Sequence, residues 1–440
     1  MKNILKEYWY RIVFYLVIIF YVLNIGVIKE PDTGSYLNLS IIASPGYPSF
    51  LYPFKKLLNE DIFLISVVVT QLVINIASIL YVISVISKRF GIYKVLVVGL
   101  DVVLLSPLFI SDFLVANRIT SEALAYPLML LIVTYLMEGL FAKRSVFFKY
   151  MLFALFIGLA VRTQFFFILP VLVVVLGYFL ITTRSFRLYG WGLLFVLFMP
   201  LFVSIVDKTF HYAVVGRFEN TSNTGVQVIT IPFYVADKED YLVYEDKNIQ
   251  EYFKYVYKQA LDSTVLDDFY KPKFNDNVYR HFHDNYARLS FEVLSIKGRG
   301  FLNPSEPDNV DTIIGNNKLL ISMVLPLFWD NFSKCVDLYF KNIIHAFGGL
   351  HILWLYLMVA IGTLLIWLKK KNKIALFSFI LMLLAFSNIS IVCMVEHSLD
   401  RFMIYHRWML PVVFILLLNE IYKEKGIPEK TNLVDSQPVV

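Results

Sequence analysis

Asp32 is the residue of this chain best placed to move a proton. It stands in the polar interval 29–53, KEPDTGSYLNLSIIASPGYPSFLYP, directly after the first apolar run. A carboxylate at a helix end on a membrane surface can act as a general base toward a hydroxyl or amine within hydrogen-bond reach. Pro31 favours an extended approach, Gly34 permits a tight turn, and Ser35 and Tyr36 offer hydroxyls that fix a carboxylate or a phosphate oxygen. The competing role for Asp32 is structural, as the cap of a short helix that begins at Thr33.

The elements that must hold this loop are membrane spans. Of 440 residues, 58% are hydrophobic and only 17% charged, with 39 Phe and 28 Tyr, which excludes an ordinary soluble enzyme. On a rule of roughly 20 apolar residues per crossing, the runs at 9–28, 62–87, 94–110, 122–141, 146–161, 164–183, 189–207, 345–368, 374–394 and 408–422 are candidate spans. The first is too long and too aromatic for a signal-peptide core and reads as a retained anchor. The net charge of +6 comes from Lys and Arg gathered in alternate connections, which the positive-inside rule assigns to the cytoplasm, so nucleic acid is not the partner. Both termini are then cytoplasmic, and the 29–61 loop faces outward. The fold class expected is an all-α polytopic membrane protein of about ten helices. It divides into an N-terminal membrane module (1–207), an extracytoplasmic domain (208–344), C-terminal helices (345–422) and a cytoplasmic tail (423–440).

The 208–344 insert breaks the hydropathy pattern and is expected to be mixed or mainly helical. Its segments 248–261 and 277–295 have helical spacing, 226–235 alternates like a strand, and 329–344 is amphipathic. Asp101 lies deep in a span and is expected to face the bundle interior. Gln71, Asn75 and Ser78 share one helix face and are expected to join helices. His281 and His283 stand two apart, which sends them to different sides of a helix, so a solvated face is expected there. Cys335 and Cys393 lack disulfide or metal spacing and are expected to be inert. Asp-Thr-Gly-Ser is also an aspartic-protease signature, but that chemistry needs two such carboxylates and no second copy occurs.

Taken together, Asp32, Ser35 and Tyr36, then Pro45, Gly46, Tyr47 and Pro48, resemble the first outer loop of polytopic GT-C glycosyltransferases. That family includes protein O-mannosyltransferases and aminoarabinose transferases. Thr120-Ser121-Glu122 before Ala125-Tyr126-Pro127, the GLAVR run ending at Arg162, and Arg407-Trp408-Met409-Leu410-Pro411 are similar to later stretches of the family. The resemblance covers about residues 9–210 and, more loosely, the C-terminal spans. The family's common Asp-Glu pair is Asp-Thr here.

The resemblance implies transfer of a sugar from a polyprenyl-phosphate donor to a glycan, lipid or protein acceptor outside a bacterial inner membrane, usually with inversion. Asp32 would be the base. Arg162 and Arg407, then Arg118 and Arg401, would hold the donor phosphate, since guanidinium forks suit phosphate. Ser35, Tyr36, Tyr47, Asp112, Glu122 and His406 would contact substrate, and a divalent metal at Asp112 or Glu122 is open. His397 is a further donor near Arg401. The rival readings are a polysaccharide polymerase of the O-antigen type and a transporter or flippase of lipid-linked sugars.

Overall fold

The computed structural model describes residues 2–110, 113–266 and 278–426. Over these residues the chain is all α-helical, and the sole β contact among them is an isolated parallel bridge between Ile28 and Arg118. Among the described residues eight helices are long and apolar enough to cross a membrane: Ile62–Phe90, Glu122–Ala142, Thr163–Thr183, Phe186–Val215, Val310–Asp330, Leu350–Lys370, Lys373–Val395 and Asp400–Glu424. Seven of them fall on expected spans, whereas Val310–Asp330 belongs to the insert. The other expected spans are shorter apolar stretches, Trp9–Ile25 and Ser145–Val161, and the 16-residue helix Lys94–Phe109.

Local chemistry sets the helix ends. Gly91 closes the helix before it in the left-handed region (φ 56°), where a Cβ would be strained. Asn372 opens Lys373–Val395 by accepting a hydrogen bond from the Ala375 amide. Glu122–Ala142 and Lys373–Val395 are buried on nearly every side and form the centre of the bundle. Both reach the same end of the molecule with a carboxyl, Glu122 as the first residue of one and Glu396 just past the last residue of the other. At the opposite end Arg89 pairs with Glu138 at 2.6 Å, Asn372 donates to Glu420, and Asn419 donates to the carbonyls of Phe90 and Gly91. Within the bundle Arg11 clasps Asp101 through Nε and Nη2 at 2.7 and 2.8 Å, and Tyr15 donates to the same carboxylate at 2.7 Å. Asp101 therefore does face the interior.

The insert has a core of its own, built on Phe233, Tyr252, Phe253, Phe282, Leu294, Leu320 and Leu327, distinct from the core of the bundle. One expectation is corrected within it. The 226–235 segment is helix, Thr224–Tyr234, because Val226, Ile229, Ile231 and Phe233 are buried on several sides and the resulting pattern imitates alternation. The helix Trp191–Val215 runs on past residue 207. The 329–344 stretch is amphipathic as expected, over the helix Phe332–Ala346, which buries Cys335, Leu338, Asn342 and Ala346 and follows Val310–Asp330 after Asn331.

The Pro-Gly-Tyr-Pro sequence has a packing explanation. A Cβ on Gly46 would come within 2.6 Å of the Val161 amide nitrogen, so glycine lets the 46–57 helix touch the backbone beside Arg162. Tyr47 is fully buried, donates to Gln71 at 2.7 Å and meets Tyr36 edge-to-face at 5.0 Å. Gly46→Ala is expected to lower stability by about 1–3 kcal/mol through overpacking, read as a lower melting temperature of the purified protein. A melting curve matching wild type would overturn this account of the close approach.

Candidate active site

The end of the bundle that carries Glu122 and Glu396 encloses a chamber of about 370 Å³, within the range of small-molecule sites. Three pieces of chain bring its floor together. Ile28 and Ile119 exchange backbone bonds with their partners at 2.9 and 3.0 Å, and Asn117 donates to the carbonyls of Val22 and Gly26. Thr33 donates to the Ile119 carbonyl. These bonds pin the first loop to the start of the Glu122–Ala142 helix, so that Asp32 and Glu122 meet.

Asp32 occupies the N-cap of Thr33–Leu37, yet its side chain makes no capping hydrogen bond. It turns instead to Arg401, whose Nη1 lies 2.9 Å from Oδ2. Arg401 Nε stands 3.4 Å from Glu122 Oε1, and Arg162 Nη1 approaches that same oxygen at 3.0 Å. Asp32, Arg401, Glu122 and Arg162 thus form one chain of alternating charge. Glu122 is fully buried, which an ion tolerates only with such partners. The Arg401 contact to Glu122 is ionic and poorly aligned: among the described residues neither Arg401 Nε nor Glu122 Oε1 has a hydrogen-bond partner. Phe402 packs against both guanidiniums, 5.0 Å from Arg401 and 5.1 Å from Arg162, without competing for their donors.

Polar side chains orient this chain of charges. Arg162 Nη1 donates to Ser121 Oγ at 2.9 Å and its Nε donates to Gln164 at 3.0 Å. Gln164 in turn donates to Asn388 and to the Phe402 carbonyl. Tyr36 donates to Ser121 at 3.4 Å, and burial, with the nearby Glu122 and Asp32 charges, pushes its phenol up to about 12, so it stays a donor. Around the rim stand Ser35, Ser44, Thr163, Thr221, Asn223, Thr224 and Gln227, with Phe166, Ile391 and Val392 giving an apolar wall.

The structure brings Asp32, Ser35, Tyr36, Arg162 and Arg401 to one chamber, with Glu122 buried against the two arginines. Tyr47 lies behind Tyr36. Arg407 does not line the chamber: it is half exposed, pairs with Asp400 at 2.5 Å and lines a separate hollow with Ser106, Pro107, Ile110, Ile404 and Trp408. Arg118 pairs with Glu30 and lies over Phe113 at 4.4 Å. His406 is buried and bonded to Asn388 at 3.0 Å. Asp112 lies outside the described residues. Among the described residues no group of three or more His, Cys, Asp or Glu is arranged to hold a metal ion. His281 bonds to Tyr234 at 2.8 Å and His283 to Tyr279 at 3.2 Å, so both face protein partners rather than a solvated face.

Two chamber residues escape a reading of the sequence. Glu396 accepts from Gln227 Nε2 of the insert at 3.0 Å, and burial pushes its carboxyl up to about 7. The signal available was an acid directly after an apolar run, on the same outer connection as Arg401. Gln227 carries no such signal, because its helix looks like a strand in sequence. The chain matches no protein-family model, no curated protein and no solved structure.

Proposed function

We propose that this protein is an inverting glycosyltransferase of GT-C type that moves a sugar from a polyprenyl-phosphate donor to an extracytoplasmic acceptor. The observation that carries the reading is Arg401, which lines the chamber beside Asp32 and Arg162 and has a buried Nε–H with no hydrogen-bond acceptor among the described residues. A phosphate oxygen completes such a group. The apolar wall suits the first units of a polyprenyl chain, and the hydroxyl and amide rim suits a sugar.

In this reading donor phosphate takes Arg401 and Arg162, and Arg401 loosens its hold on Asp32. The freed carboxylate accepts the acceptor's proton as the acceptor oxygen attacks the anomeric carbon. The bond from that carbon to the phosphate oxygen breaks, and its electron pair leaves with the lipid phosphate, whose charge the guanidiniums stabilise. Sidedness follows from the far end of the bundle. Lys143, Arg184 and Lys371 each cap a helix there, which favours a cytoplasmic placement for that end and for both termini.

The test is transfer of radiolabelled sugar from a panel of undecaprenyl-phosphate sugars in proteoliposomes. Wild type is expected to consume one donor on one side. Arg401→Gln is expected to raise KM for that donor about tenfold, the worth of one charged hydrogen bond, and Arg407→Gln to leave it within about twofold. Movement of intact lipid-linked sugar across the bilayer would replace this reading with the transporter.

A further inference from the structure

Three carboxyls and two guanidiniums face the chamber or its floor. Asp32 and Glu122 share Arg401 and Arg162 between them. Glu396 stands apart. It lines the same space, accepts from the neutral amide of Gln227, and makes no ion pair among the described residues. Beside it is the Tyr286 hydroxyl, which donates to the Val395 carbonyl at 2.9 Å. A partly buried carboxyl held by an amide rather than by an ion pair keeps its proton more readily than its two paired neighbours.

We infer that Glu396 is the acid of the reaction proposed above, on which this assignment rests: it gives its proton to the lipid phosphate as the bond to the sugar breaks. The departing phosphate gains a negative charge inside a protein-walled chamber, where uncompensated charge is expensive. The guanidiniums divide their charge between the phosphate and the carboxylates Asp32 and Glu122, so a proton adds to the neutralisation they supply. The step balances. The acceptor's O–H proton goes to Asp32, the new carbon–oxygen bond forms, and the electron pair of the broken bond stays on phosphate. The Glu396 proton then joins that phosphate. A proton returned from Asp32 to Glu396 through water restores both groups, so the net result is the acceptor's proton on the released phosphate.

The groups around Glu396 allow this. Arg401 and Arg162 face it across the chamber and favour its ionised form, which helps it give up a proton once phosphate arrives. Tyr286 faces it from the insert helix Val278–Ala287. His397, next in the chain, stacks on Tyr286 at 4.3 Å, with His283 behind at 4.8 Å and His345 beyond, and Asp400 acts on these last two. Burial drives the His397 imidazole down to about 3, so it stays neutral and does not compete for the proton.

The test uses full-length protein and the undecaprenyl-phosphate sugar that wild type consumes. Glu396→Gln keeps the shape and the chance to donate a hydrogen bond but has no proton to transfer. We expect kcat to fall about 100-fold with KM little changed, and Glu396→Asp to recover part of it. Wild-type kcat should decline above neutral pH as the acid ionises, and Glu396→Gln should lack that decline. Gln227→Ala, which removes only the tie to the insert, should keep it. Normal kcat and an unchanged pH profile in Glu396→Gln, alongside an inactive Asp32→Asn, would overturn the assignment and leave the transferase reading standing. The same holds if Gln227→Ala reproduces every effect of Glu396→Gln. Absence of turnover by wild type with the whole panel would count against the transferase reading, and this assignment falls with it.

Discussion

Asp32→Asn is expected to lower kcat for sugar transfer by roughly 1,000-fold or more while the protein stays folded and binds donor at least as tightly as before. Asparagine matches aspartate in shape but cannot take a proton from an acceptor. It also gives up the 2.9 Å ion pair with Arg401, which frees that guanidinium for phosphate. The two effects have opposite signs, weaker turnover and undiminished affinity, and a merely structural Asp32 would not produce that combination. Single-turnover transfer together with equilibrium binding of the donor measures both. Wild-type turnover in the variant would remove Asp32 from the chemistry.

Glu122→Ala should be the most destabilising of the substitutions at the chamber. Glu122 is fully buried between two cations, and removing one partner of a buried pair costs about 3–5 kcal/mol because the other charge is stranded. Arg162 suffers most, with only 10% of its side chain exposed. Glu122→Gln, which keeps a hydrogen-bonding group at the site, should be milder. The double variant Glu122→Ala, Arg162→Ala should recover part of the loss, which a double-mutant cycle on melting data would read as coupling. Additive losses would mean that the two residues contribute independently.

Much of this arrangement is legible in the sequence, for definite reasons. Hydropathy alone locates most of the bundle, because hydrocarbon demands long apolar helices. Asp32, Glu122 and Arg162 are visible as charges at the ends of such runs. Choosing between Arg401 and Arg407 is another matter. They lie six residues apart and so project on different sides of one helix. Which side meets the chamber depends on neighbours far away in sequence, here Asp32 and Glu122. Glu396 is similarly silent, since its environment is completed by Gln227, 169 positions earlier. The insert was the least readable part. A helix buried on several sides, such as Thr224–Tyr234, has no polar stripe to reveal its period.

The clasp of Arg11 and Tyr15 on Asp101 bears on how the protein is made. Arg11 stands near the start of the apolar stretch Trp9–Ile25, where a long cationic side chain either reaches the membrane surface or takes a partner. Its counter-charge lies 90 residues further along the chain. During synthesis the clasp that joins the first helix to Lys94–Phe109 can therefore form only once the segment bearing Asp101 has left the ribosome.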